Sequence, residues 1–259
     1  MFDLPKYGDG VCLARLSALL DVLSVDRARL ARISVVVTGS NGKGSTAAFC
    51  AGIGRAHGLR TGLFTSPHLY RFNERFQVDR SEIDDNDLAR LASRIAIEIA
   101  ELTRRNSETF GSFEALFALA CLYFQERQCD FAVFEAGIGG RYDPSRLVGA
   151  LVTSVTSVDY EHVELLGNSL ALIASDKSDA CAAAGRSMAA ATIAACIRRL
   201  PVRLFLSGVD SDIVPFFILK ALSHVVQCNP AHPRLMRGNS HRPTYKINVH
   251  ATDSRNRKA

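Results

Sequence analysis

Apolar residues at positions 13, 16, 20 and 23 recur at three- and four-residue spacing, which predicts an amphipathic helix over residues 11–30 packed on a core. The period then changes. Residues 33–37 form a β-branched run, the predicted first strand, and it ends in Thr38-Gly39-Ser40-Asn41-Gly42-Lys43-Gly44-Ser45-Thr46 before a helical pattern resumes over 47–57. A second strand is predicted at 62–65, followed by a polar loop around Pro67. Long helical patterns cover 84–104, opened by acidic residues, and 112–126. Apolar strands follow at 131–135, ending in Gly137-Ile138-Gly139-Gly140, and at 151–158, ending at Asp159. Strands that alternate with helices predict an α/β fold, a mostly parallel sheet flanked by helices, with loops gathered at its carboxyl edge. A ligand is expected there.

Beyond residue 186 the pattern weakens. An alanine-rich segment at 187–197 reads as helical and 213–226 can pack, but 229–259 is polar, basic and rich in turn formers without a period. The expected organisation is one nucleotide-type domain over 1–186 and an atypical, partly disordered basic tail over 187–259. The charge divides at the same place. Residues 1–186 hold 20 Lys and Arg against 23 Asp and Glu, and 187–259 hold 11 against three, so the net +5 belongs to the tail. A mildly acidic body with a basic appendage argues against a nucleic-acid-binding domain.

The longest apolar run, residues 115–124, is half of the roughly 20 residues needed to span a bilayer, so no transmembrane segment is expected. The opening MFDLPKYGDG lacks the pattern of a secretory signal, which makes the cytoplasm the expected compartment. Seven cysteines, widely spaced and without a C-x-x-C pair, read as free thiols.

Glycines at 39, 42 and 44 allow a sharp turn that converges backbone N–H groups on one point, and the following helix adds its positive end. Phosphate is the expected occupant. Lys43 supplies an ammonium for the terminal phosphates, and Ser45 and Thr46 supply hydroxyls for phosphate or metal. Only three residues separate Gly39 from Lys43, two fewer than in the common Walker spacing.

Three further segments carry a resemblance. Thr65-Ser66-Pro67-His68-Leu69-Tyr70-Arg71-Phe72-Asn73-Glu74-Arg75, then Phe134-Glu135-Ala136-Gly137-Ile138-Gly139-Gly140-Arg141, then Thr156 to His162 with Leu165-Leu166-Gly167 and Ala174 to Lys177, stand in unbroken order. Together with the glycine turn they resemble the ATP-binding domain of the Mur ligase superfamily, in particular the folylpolyglutamate and dihydrofolate synthases. The resemblance implies an ATP- and magnesium-dependent ligase that adds glutamate to a folate or dihydropteroate carboxylate through an acyl phosphate. It implies that Gly39, Asn41, Gly42, Lys43, Gly44, Ser45 and Thr46 cradle ATP, and that Ser66, Glu135 and His162 hold Mg2+. It also implies that Lys177 is carbamylated as a further metal ligand. Lys43, His162 and Lys177 are then the expected catalytic groups, and Arg71 and Arg75 the groups that orient the carboxylate substrate.

Each residue also has an ordinary reading. His162 alone is a surface-loop histidine, Lys177 beside Asp176 and Asp179 is a solvated charged face, and Arg71 and Arg75 are loop charges. Glu135 at the end of an apolar strand is harder to explain without function. Two departures from the family pattern stand out: Glu161-His162 replaces Asp-His, and Tyr142-Asp143-Pro144-Ser145 stands where an Asp-Ala-Thr-Asn run is usual, removing an asparagine amide. The family further implies a separate carboxyl-terminal α/β domain, which residues 187–259 do not resemble. Two alternatives therefore stay open: a nucleotide-binding remnant without catalysis, and a related Mur-type ligase with another acceptor.

Overall fold

A computed structural model describes residues 4, 5, 8–10, 12–150 and 152–180. The expectations for 187–197, 213–226 and the basic tail, and for Cys181, Cys196 and Cys228, lie outside these residues.

The predicted first helix is two helices. α1 (Leu13–Val22) buries Leu16, Leu19 and Leu20, and α2 (Arg27–Ile33) begins anew after Asp26, whose carboxylate accepts the Arg29 N–H at 2.8 Å. Between them Ser24 adopts φ 58°, a left-handed conformation that ends a helix. The apolar period runs through this break because Leu23 and Val25 are core residues even though they are not helical. Ile33 closes α2, so β1 spans Ser34–Thr38.

α3 (Lys43–Ala56) starts at the lysine itself, four residues earlier than its apolar pattern. β2 (Thr61–Phe64) is followed by the polar loop, a 3-10 turn at Phe72–Arg75, and a short hairpin that the pattern did not predict, β3 (Phe76–Val78) and β4 (Ser81–Glu82). α4 (Asp85–Asn106) is capped by the Asp84 carboxylate, which accepts from the N–H groups of Asn86 and Asp87, and it buries the stripe Leu91, Ile95, Ile99 and Leu102. α5 (Ser112–Glu126) is buried on nearly every side between Glu114 and Phe124. β5 (Phe131–Glu135), a 3-10 turn (Pro144–Val148), β6 (Val152–Val155), α6 (Val163–Leu166) and α7 (Leu170–Ser178) complete the described chain. β6 is shorter than the apolar run 151–158, because residues 156–159 turn away to meet the glycine loop.

The sheet order is β4-β3-β2-β5-β1-β6. β2, β5, β1 and β6 are parallel, and β3 joins β2 antiparallel. All four parallel strands therefore end at one edge, as expected. The core has two parts. One face carries Phe64, Phe76, Phe117, Phe124 and Phe134 with the leucines of α1, and the other carries Val37, Leu63 and Val133 against Ala47 and Ala51 of α3. Buried Arg15 and Glu114, paired at 2.9 Å, tie α1 to α5, and Glu114 also accepts the Gly111 N–H at the start of α5. Among the described residues no helix is long and apolar enough to cross a membrane.

Candidate functional site

The carboxyl edge of the sheet gathers the segments after β1, β2, β5 and β6. After β1, Gly39 takes φ 139° and Gly42 φ 81°, and Gly42 is the residue from which α3 departs. The N–H groups of Gly42, Lys43, Gly44 and Ser45 receive no partner from the described residues, so four donors at a helix start face one opening. Asn41 differs: its N–H goes to Ser157 Oγ at 2.9 Å, so that donor is committed elsewhere. The Lys43 ammonium lies over its own loop, donating to the carbonyls of Gly39 (2.7 Å) and Ser40 (3.3 Å). Ser45 is exposed and Thr46 half-buried on the first turn of α3.

Glu135 ends β5 in register with Val37 and is 5% exposed. Its Oε2 accepts the Ser66 N–H at 3.0 Å, and its Oε1 takes no hydrogen bond from the described residues. A methyl group placed on Gly44 would lie 3.5 Å from both carboxylate oxygens, so Glu135 stands directly beside the first turn of α3. Burial pushes its pKa above the usual carboxylate range, against the Ser66 hydrogen bond and the charges of Lys43 and Arg75.

The loop after β5 is held by carboxylates. Asp143, buried, accepts from the N–H groups of Gly137 (2.8 Å) and Ile138 (3.2 Å), and Asp176 Oδ1 accepts from Gly140 (2.9 Å). The run that departs from the family pattern therefore contributes an acceptor of its own. Thr38 Oγ1 donates to the Gly139 carbonyl at 2.6 Å, fastening this loop to β1.

No family model matches the chain. It is 34% identical to the dihydrofolate synthase/folylpolyglutamate synthase of Bacillus subtilis over 174 residues, which is 67% of this chain and 40% of that protein. To the folylpolyglutamate synthase of Lacticaseibacillus casei it is 38% identical over 143 residues, 55% of this chain and 33% of the relative. Among solved structures, an FPGS-AMPPCP-folate complex superposes with a TM-score of 0.63 at 33% identity, covering 69% of this chain and 43% of that one. E. coli FolC in complex with DHPP and ADP gives 0.62 at 29% identity, over 69% and 41%. The chain is homologous to the folylpolyglutamate and dihydrofolate synthases. It spans less than half the length of these synthases.

At this edge, the sequence-derived site residues fall into two groups. Gly39 to Thr46, Ser66 and Glu135 come together. Arg75 belongs with them: it is half-buried, Nε donates to His68 Nδ1 at 2.9 Å, and burial lowers its pKa against the opposing charge of Glu135. Arg71 is separated from it, exposed and 3.9 Å from both Glu82 and Asp85.

The second group lies on the β6 side. Lys177 is 1% exposed and its ammonium pairs with Glu161, so the solvated-face reading is corrected. Spacing alone hid this, because α7 shows its charged neighbours in sequence and not the loop that covers it. Burial acts to raise the Glu161 pKa, but the Lys177 hydrogen bond and charge, with the charge of Lys43 and the Ser40 hydroxyl, hold it below the usual value. His162 is exposed at φ 42°, where it starts α6. Sequence reasoning missed His68, Asp143, Asp176 and the hydroxyls of Thr156 and Ser157. The last two carried a signal, as short polar residues directly after an apolar strand.

Proposed function

We propose that this chain supplies the nucleotide-binding part of an ATP-dependent amide ligase that joins glutamate to a folate or dihydropteroate carboxylate through an acyl phosphate. The observation that carries the reading is the placement of Glu135, a buried carboxylate fixed by the Ser66 N–H and facing Gly44 of the glycine turn. A buried carboxylate beside a cradle for anionic phosphate is unfavourable unless a cation joins the two. Magnesium suits the donors present, since Glu135 Oε1 and the Ser66 hydroxyl are hard oxygen ligands and Mg2+ retains water in its remaining positions. When bound, the metal neutralises charge on the phosphates.

The remaining steps belong to the protein. The N–H groups of residues 42–45 hold the triphosphate, and Lys43 leaves its loop carbonyls to follow the terminal phosphate. Arg75, whose guanidinium lies over the Phe72 ring and whose Nε is set by His68, orients the acceptor carboxylate. Attack on the γ-phosphorus gives the acyl phosphate and ADP, and the amine of glutamate then displaces phosphate. His162, exposed at the β6 side, and buried Lys177, as an ammonium or after carbamylation, complete the metal and phosphate environment.

Calorimetry with ATP, with and without Mg2+, tests the reading. Lys43→Ala should weaken ATP binding by about ten-fold or more, the value of one charge-assisted hydrogen bond, and Glu135→Gln should reduce the dependence on Mg2+. Equal binding by wild type and Lys43→Ala would remove the phosphate assignment. In an assay for ATP- and glutamate-dependent extension of dihydropteroate or a folate, the 259-residue polypeptide alone should turn over well below about 1 per second. It covers 40% of the Bacillus relative, and an open site loses the enclosure that orients reactants.

A further inference from the structure

We infer that Thr156 and Ser157 are positioning residues for the glycine turn, whose hydroxyls hold the Asn41 carbonyl toward β6 and thereby aim the Gly42 N–H at a bound triphosphate. The inference rests on the nucleotide reading above and adds what keeps the cradle in its receiving shape.

The contacts are dense and local. The Thr156 N–H bonds the Thr38 carbonyl at 2.9 Å, and the Ser40 N–H bonds the Ser157 carbonyl at 2.9 Å, so the segment after β6 runs beside the turn. Ser157 Oγ accepts the Asn41 N–H at 2.9 Å and donates to the Asn41 carbonyl at 3.1 Å. Thr156 Oγ1 lies 2.6 Å from the same carbonyl oxygen. Two successive peptide units, on either side of Asn41, are thus gripped by two side chains.

The peptide between Asn41 and Gly42 is trans, and in a trans peptide the C=O and the next N–H point in opposite directions. Holding the carbonyl on the β6 side therefore places the Gly42 N–H on the other side, with the unpartnered donors of Lys43, Gly44 and Ser45. Gly42, at φ 81° and without a side chain, offers little resistance to rotation of this peptide. Released from the clamp, the unit can flip, presenting a carbonyl oxygen to an anion where a donor had been. Gly39 fits the same design: a methyl group there would sit 2.0 Å from Thr156 Oγ1, so only glycine admits the hydroxyl. The hydrogen bonds to Asn41 are exposed and their two side chains only half-buried, so their removal touches global stability little.

The test uses the full chain with Thr156→Val, Ser157→Ala, the double variant and the conservative Thr156→Ser. Affinities for Mg-ATP and for inorganic triphosphate are measured by calorimetry, alongside melting temperatures. The double variant should bind both ligands about ten-fold more weakly or worse, in keeping with two lost hydrogen bonds of ~1 kcal/mol each. Its melting temperature should stay within about 4 °C of wild type, and Thr156→Ser should keep wild-type affinity. Equal affinities in wild type and double variant would overturn the clamp while leaving the nucleotide site standing. A loss that Thr156→Ser shares, or that follows a collapse in melting temperature, would reduce these residues to ordinary structural support. Absence of binding by the wild type would refute the nucleotide reading and the clamp with it.

Discussion

The two faces of the sheet are built from different materials. On the α1, α4 and α5 side, Phe64, Phe117, Phe124 and Phe134 pack with ring centroids 5.4 to 6.4 Å apart. On the α3 side the buried contacts are Val37, Leu63 and Val133 against Ala47 and Ala51, and a methyl group on Gly54 would come within 2.6 Å of the Phe131 ring. Large side chains remove more apolar surface from water, so the first face carries most of the stabilisation. Small ones let a helix approach the strands closely. The second face therefore fixes where α3 begins, and with it the distance between the glycine turn and Glu135.

This contrast can be broken from either side. Phe134→Ala, in the centre of the aromatic face, should cost about 3–5 kcal/mol of stability in a urea titration. ATP affinity measured on the remaining folded protein should hardly change. Ala51→Leu, on the small face, should cost less, about 1–3 kcal/mol from overpacking, yet it should weaken ATP binding because α3 is pushed off the sheet. Destabilisation by Ala51→Leu with wild-type affinity would show that this face does not set the site.

The smallest effect concerns Glu135. Its folded-state pKa is raised, so the folded protein binds the proton more readily than the unfolded chain does. The penalty is absent below the unfolded pKa, near pH 4.5, grows as pH rises toward the folded value, and persists at neutral pH. Without added metal, Glu135→Gln should therefore be more stable than wild type at neutral pH. The difference should fade in acid, as a pH series of denaturant midpoints will show.

The larger elements were legible because their periods were clean. α5 and β5 have the bounds that the pattern predicts, and the site residues Lys43, Ser66 and Glu135 share an edge because each follows a parallel strand. What was not legible depended on local conformations without a compositional mark. The β3–β4 hairpin turns through Asp79 and Arg80 at φ 52° and 71°, positions where glycine or asparagine would have announced it. The α1–α2 break turns on Ser24, while leucine spacing continues across it. Lys177 looked solvated because the carboxylate that pairs with it lies sixteen positions earlier, beyond any helical period.

The strand order also sets a timetable for folding. β1, which leads into the glycine turn, pairs on one side with β5 and on the other with β6, both beginning about 100 residues downstream. During synthesis the turn emerges early, but the Thr38 carbonyl and Asn41 find their hydrogen-bond partners only after Thr156 and Ser157 have left the ribosome. Until β5 has emerged, the apolar run of β1 has no sheet to join. The nascent chain must carry this strand, and the unfinished cradle behind it, through most of the domain's translation.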